Sequence, residues 1–514
     1  MKFAACLPIA LLIAVAHLAA AEKPNIIVIL TDDMGYSDLG CYGSEIETPH
    51  LDALAAEGLR FTNFYNSSRC CPTRASLLTG LYSHQAGVGA MTADEGKPGY
   101  RGKLNRNCVT IAEALRPAGY TTLVAGKWHV GEGKGHYPTD RGFDRFWGSP
   151  GGGGFYFKDS MLSKKREIFS NDNKIDPPDD LYVTDDFTDQ AIGFIDEAVT
   201  ETKKPFFLYL AHIAPHWPLQ AKPEDIAKYK GRFDKGWDAE REARFTKQKR
   251  MGIVPENAAL SARDPEAKSW GETPEAERRD LAHRMEIYAA QIDSIDQNTG
   301  KLVARLKALG QFENTLILFL SDNGCSAEGG AGGFSNGEKG APIGTGLSHA
   351  SAGLEWANAS DTPFRKFKMH THEGGIATPL IAHWPAGIAA RGELRHAACH
   401  VIDIMPTVIE ISGASYPETV SGEPINPMEG ISLTPVFRSD DPGQERELFW
   451  EHLGKKAVRR GDWKAVGSRK APWELYDLRS DPTENKNLAA KDAERTEELK
   501  ALWQAWAERC NVTR

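Results

Sequence analysis

A pair of cysteines stands directly before a proline and just ahead of an arginine in the stretch SRCCPTRASLLTG, residues 68 to 80. Neighbouring cysteines bridge each other only with strain, because a disulfide fixes the separation and dihedral of its Cβ atoms. One thiol of the pair is therefore open to chemistry. Pro72 suits the first turn of a helix, where its missing N–H costs nothing, and the run after it continues helically to Gly80. Cys70 then sits near a helix N-terminus, where free N–H groups and the dipole favour anions. Arg74 returns a permanent positive charge from about one turn on. The residues alone predict a nucleophilic thiolate. A buried cysteine beside a capped helix is the plainer alternative.

Other short segments carry matching chemistry. Asp32 and Asp33 in TDDMG, with Asp322 and Asn323 in SDNG, offer hard oxygen ligands of the kind calcium or magnesium takes. Either segment alone reads as a turn or cap; together they predict a divalent-cation site. Lys127 and His129 lie in GKWHVG, His216 in APHWP and Lys368 in KMHTHEGG. A lone lysine is ordinarily a solvated group, whereas a histidine holds or releases a proton near neutral pH. His212 competes with His216, and Lys366 with Lys368. His136, His370, His372 and His452 hold no motif position.

The elements that must position these groups share one pattern. PNIIVIL runs into TDDMG, YTTLVA into GKWHVG, PFFLYLA into HIAPHWP, and NTLILFL into SDNGC. Such apolar runs suit strands buried on both faces. Helical patterns lie between them, and Gly119 and Gly310 serve as helix stops. The fold class expected is α/β, a large mixed and mostly parallel sheet sandwiched by helices, with a small C-terminal α+β domain. The chemical residues fall just past the carboxyl ends of the strands, the rim where open α/β sheets bind ligands. Residues 222–285 are highly charged and read as surface helices forming a lid or flap. Residues 324–353, rich in glycine, read as a long loop bordering the SDNG site.

The expected division is a leader at 1–21, a catalytic domain at 22–440 and a small domain at 441–514. Lys2, an apolar core and Ala19-Ala20-Ala21 before Glu22 read as an export signal, which places the mature chain in the periplasm or outside the cell. His17 interrupts the apolar run, and no later stretch predicts a membrane span. The formal net charge of −9, without a polybasic block, excludes nucleic acid as a partner. An anionic substrate would need local attraction from a few basic groups. The eight cysteines match no zinc spacing, and their pairing is not assigned.

Cys70-x-Pro72-x-Arg74 followed by ASLLTG resembles the signature of the formylglycine-dependent sulfatases of the alkaline-phosphatase superfamily. The segments around Asp32, Lys127, His216, Asp322 and Lys368 resemble that family's other motifs in order, through most of residues 24–385, and bacterial arylsulfatases are the branch most similar. The resemblance implies that a maturation system oxidises Cys70 to Cα-formylglycine, with Cys71 in the variable position. It implies calcium, held by Asp32, Asp33, Asp322, Asn323 and the modified Cys70. It gives Lys127 and Lys368 the sulfate oxygens and lets Arg74 hold the aldehyde hydrate. One hydroxyl of that hydrate would attack sulfur. His216 would protonate the departing alcohol and His129 would deprotonate the second hydroxyl, which expels sulfate. The function implied is hydrolysis of an aryl sulfate or sulfated glycan. Two other readings stay open: a phosphate or phosphonate ester hydrolase on the same scaffold, and a catalytically silent glycan-binding protein.

Overall fold

The computed structural model describes residues 23–441 and 445–513; the proposed leader lies outside them. Ten of the eleven strands of the main sheet form one continuous order, Cys399–His400 pairing with β2 beside it: β1 (Asn25–Asp32), β2 (Leu59–Tyr65), β3 (Thr121–Lys127), β4 (Arg145–Ser149), β5 (Ile168–Ser170), β6 (Asn173–Ile175), β7 (Phe206–Pro215), β8 (Thr315–Ser321), β9 (Ala377–His383) and β10 (Glu393–Arg395). They lie in the order β10-β2-β9-β8-β1-β7-β3-β4-β5-β6. The consecutive strands β8, β1, β7, β3 and β4 are parallel, and β9 runs antiparallel to both β8 and β2. The four apolar runs are β1, β3, β7 and β8, adjacent at the centre.

Their composition explains that position. In β1, Ile26, Val28 and Leu30 feed one core while Ile27 and Ile29 feed the other. The same alternation places Leu316, Leu318 and Leu320 of β8 on one face, and Ile317 and Phe319 on the opposite face. A strand apolar on both faces is stable only with a helical layer on each side. One layer contains α1 (Cys70–Thr79) and α5 (Ile404–Ser412); the other contains α2 (Val183–Glu197) and α4 (Glu275–Ala308).

Helix α3 (Gly236–Arg250), in the charged segment expected to form a lid, packs into the body instead. Trp237, Arg241, Arg244 and Gln248 are buried. Arg244 pairs with Asp38 at 2.6 Å and Glu45 at 2.7 Å. Its charge is matched by partners 206 and 199 residues away in the chain, which a local charge count cannot reveal. The segment 324–353 contains no helix or strand.

A second, four-stranded antiparallel sheet closes the chain: β11 (Glu447–His452), β12 (Lys455–Arg460), β13 (Trp463–Ser468) and β14 (Glu474–Asp477). Phe449, Val458, Ala465 and Leu475 pack on α6 (Ala493–Arg509), through Leu499, Trp503 and Trp506. The other face docks on the main body. Trp450 Nε1 donates to the Asn66 carbonyl at 2.8 Å, and buried Lys464 joins Glu373 and Glu484 at 2.6 and 2.8 Å. No described helix is long and apolar enough to cross a membrane.

Candidate active site

Helix α1 begins at Cys70 and stops at Gly80, which takes φ 69°. All ten residues are buried, so Pro72 lies in the first turn and Arg74 one turn inside. The thiols of Cys70 and Cys71 and a ring nitrogen of His129 lie within 4.8 Å of one another. The Cys71 thiol, hydrogen-bonded to Cys70, pulls the Cys70 pKa well below the usual thiol value. Burial opposes that pull, and Lys127 and His129 add to it. Burial drives Cys71 the other way, well above its ordinary value. The two neighbours are thus chemically unequal, and Cys70 is the one favoured as an anion.

The strand ends bring the other groups to the same rim. Asp32 closes β1, Lys127 closes β3, and Asp322 and Asn323 follow β8. Arg74 donates through Nε and Nη2 to Asp322 Oδ2 at 3.1 and 2.8 Å, and through Nη1 to the Lys127 carbonyl at 2.9 Å. Lys127 donates to Asp32 Oδ2. Lys368 donates to Asp33 Oδ2 at 2.9 Å and to Glu328 at 3.3 Å. Asn323 donates to Asp33 Oδ1 at 2.7 Å. His216 Nε2 lies 3.5 Å from Asp33 Oδ2, its backbone carbonyl held by the Tyr156 hydroxyl at 2.6 Å. Asp33 and His129 take positive φ, 69° and 60°, a conformation costly for non-glycine residues and concentrated at functional sites.

Two buried oxygens, Asp32 Oδ1 and Asn323 Oδ1, have no hydrogen-bond partner. Burial and the nearby Asp32 charge raise the Asp322 carboxyl well above its usual range. A buried orphan oxygen is costly, and these belong to a hard, oxygen-only donor set. That set fits a divalent cation of the calcium or magnesium type. Burial, then the Lys127 charge, lowers His129 to about 4, so at neutral pH its ring is a neutral base.

Several predicted competitors lie elsewhere. Lys366 pairs with Asp264 at 2.7 Å. His212 is fully buried, and neither ring nitrogen has a partner. His372 binds Glu474 at 2.8 Å on the C-terminal sheet. Other contributors went unread in the sequence. Glu328 accepts from Trp217 Nε1, Lys368 and Ser326, and lies 3.5 Å from Arg69. A Cβ on Gly152 would sit 3.2 Å from His129 Nε2, and one on Gly153 would sit 3.5 Å from Asp32 Oδ2. The glycine run 151–154 is the signal that could have revealed this close approach; Glu328 has no motif around it.

A sulfatase family model matches residues 24–414, and an N-sulphoglucosamine sulphohydrolase C-terminal model matches 364–509. The chain belongs to the sulfatase family. It is 35% identical to an arylsulfatase of Klebsiella aerogenes, across 84% of this chain and 96% of that protein. It is 30% identical to human arylsulfatase A, across 97% and 90%. The solved structure of Ps i-CgsB in complex with k-i-k-neocarrahexaose is similar at a TM-score of 0.69 and 26% identity, covering 95% of this chain and 93% of that one. The enzyme is a sulfatase, and the mixed α/β architecture with its small C-terminal sheet is that of its structural neighbours.

Proposed function

We propose that this sulfatase cleaves the sulfate ester of an aryl alcohol or a sulfated glycan at Cys70, after a maturation system has oxidised that residue to Cα-formylglycine. The observation carrying the reading is Cys70 itself: it opens a buried helix, with His129 beside it and Arg74 locked to Asp322 one turn on. As the hydrated aldehyde, the modified residue would supply one hydroxyl to attack sulfur and a second to release sulfate.

The chain's own groups divide the remaining work. Lys127 and Lys368 place positive charge where sulfate oxygens would lie. His216 holds a proton for the leaving oxygen, and His129 accepts one at the Cys70 position. Arg74 fixes Asp322 and, through the Lys127 carbonyl, the end of β3. Asp32, Asp33, Asp322 and Asn323, with the modified Cys70, would hold calcium or, as the next choice, magnesium. When bound, such a cation neutralises sulfate charge and polarises the reacting oxygen.

The signal-like residues 1–21 favour a periplasmic or secreted enzyme, and the hexaose-bound relative favours a glycan substrate. Cysteine at position 70, with Pro72 and Arg74, argues against a simple phosphatase; the full set of acids, lysines and histidines argues against a silent binder. The test is peptide mass at Cys70 together with aryl-sulfate hydrolysis. Aldehyde or hydrate at Cys70 in active protein supports the proposal. Active protein with an unmodified Cys70 overturns it.

A further inference from the structure

A chain of net charge −9 repels polyanions at long range, so attraction must be built locally. One cationic cluster adjoins the reacting centre at the seam with the C-terminal sheet. Arg69, next to Cys70 in the chain, has a buried Nε without a partner, and its nearest carboxylate is Glu328 at 3.5 Å. The hairpin of β11 and β12 pairs His452 with Lys455 across a turn at Leu453 and Gly454. His452 is fully buried, and neither ring nitrogen is hydrogen-bonded. Lys455 donates to the Met369 carbonyl at 2.9 Å, beside Lys368, and among the described residues it has no carboxylate within ion-pair distance. A cavity of about 190 Å³ opens between this hairpin and the segment after Lys368; Lys455, His370, His372 and Glu474 are among its lining residues, and Arg69 and His452 lie outside that lining.

The like charges here are only partly relieved, Arg69 by Glu328 at 3.5 Å and Lys366 by Asp264 at 2.7 Å. Burial and then Arg69 and Lys366 lower the Lys455 ammonium. Burial and then Arg69 lower His452 to about 3, and burial with Lys455 and Lys366 lowers His370 to about 3. Both histidines are therefore neutral donors or acceptors near pH 7. The surrounding acids are already engaged. Glu451 binds His84 at 2.9 Å, Asp264 binds Lys366, Glu474 binds His372, and Glu328 binds Lys368.

We propose that Arg69 and Lys455, flanked by His370 and His452, form a second anion subsite. It would receive a further negative group, a carboxylate or another sulfate, carried by the same saccharide whose sulfate ester reaches Cys70. The inference rests on the reading of Cys70 as the reacting position.

The test uses Cys70-converted enzyme and disaccharide sulfates in matched pairs. One arm differs by a uronate carboxylate against its methyl ester, the other by a second sulfate. The wild type should favour the doubly anionic member in at least one arm by about tenfold in kcat/KM. Lys455→Gln should erase that preference through KM, and Lys455→Arg should keep it. Equal turnover of both members in both arms overturns the subsite, as does a preference surviving both Lys455→Gln and Arg69→Gln. If no sulfate ester is hydrolysed, the proposed function falls, and calorimetry on Cys70→Ala protein decides the subsite separately. There, Lys455→Gln should weaken binding of the doubly anionic saccharide by about tenfold; unchanged binding overturns the proposal.

Discussion

Arg74 donates two N–H bonds to a single oxygen of Asp322, and both side chains are wholly excluded from solvent. The contact ties the nucleophile helix to the end of β8. Arg74→Ala leaves a buried carboxylate without its counter-charge, and breaking such a pair costs about 3–5 kcal/mol. Denaturant unfolding should show that loss. Arg74→Lys retains a charge but not the planar fork; it should recover part of the stability and little of the hydrolysis.

Cys70 and Cys71 should behave oppositely. Cys70→Ala removes the reacting residue, and sulfate release from an aryl sulfate should fall to background. Cys71→Ser keeps a short donor beside Cys70 and should retain activity within about tenfold of wild type. A pair of variants with equal losses would contradict the inequality between the two thiols.

The unpartnered Asp32 Oδ1 and Asn323 Oδ1 predict stabilisation by a divalent cation. Calcium at about a hundred times its dissociation constant should add about 2.7 kcal/mol to the folded state. Thermal unfolding with a chelator and then with added calcium measures it. In Asp32→Asn and Asn323→Ala the calcium-dependent rise should shrink or vanish.

Glu328 supplies a pH signature. Burial would raise its carboxyl, but Lys368, followed by His216, Trp217 and Arg69, holds it at about 2 rather than 4.5. A depressed acid contributes stability that is complete above the unfolded value and lost as pH falls toward the folded one. Wild-type stability should therefore drop between about pH 4.5 and 2 more steeply than that of Glu328→Gln. Parallel acid-unfolding curves would refute the assignment.

The central sheet was legible because its information is local. Runs such as Asn25–Leu30 and Thr315–Leu320 are apolar at every position or nearly so, and each ends in the polar residues that line the rim. The helix after Cys70 was legible for the same reason, through Pro72 and Gly80. What escaped depends on distant partners. Arg244 looked like a surface charge until Asp38 and Glu45 met it. Glu328 sits in a glycine-rich stretch, and its contacts come from Trp217, Lys368 and Arg69. Lys366 and Lys368 were told apart in the structure by Asp264, which takes the former.

Helix α1 is buried along its entire length, and Cys70 is 2% exposed. A second enzyme cannot grip a residue in that position once the chain has folded. The proposed oxidation of Cys70 would have to happen while this stretch is still an open peptide. On that proposal the folded state would act as a deadline: molecules that compact too soon would keep a thiol.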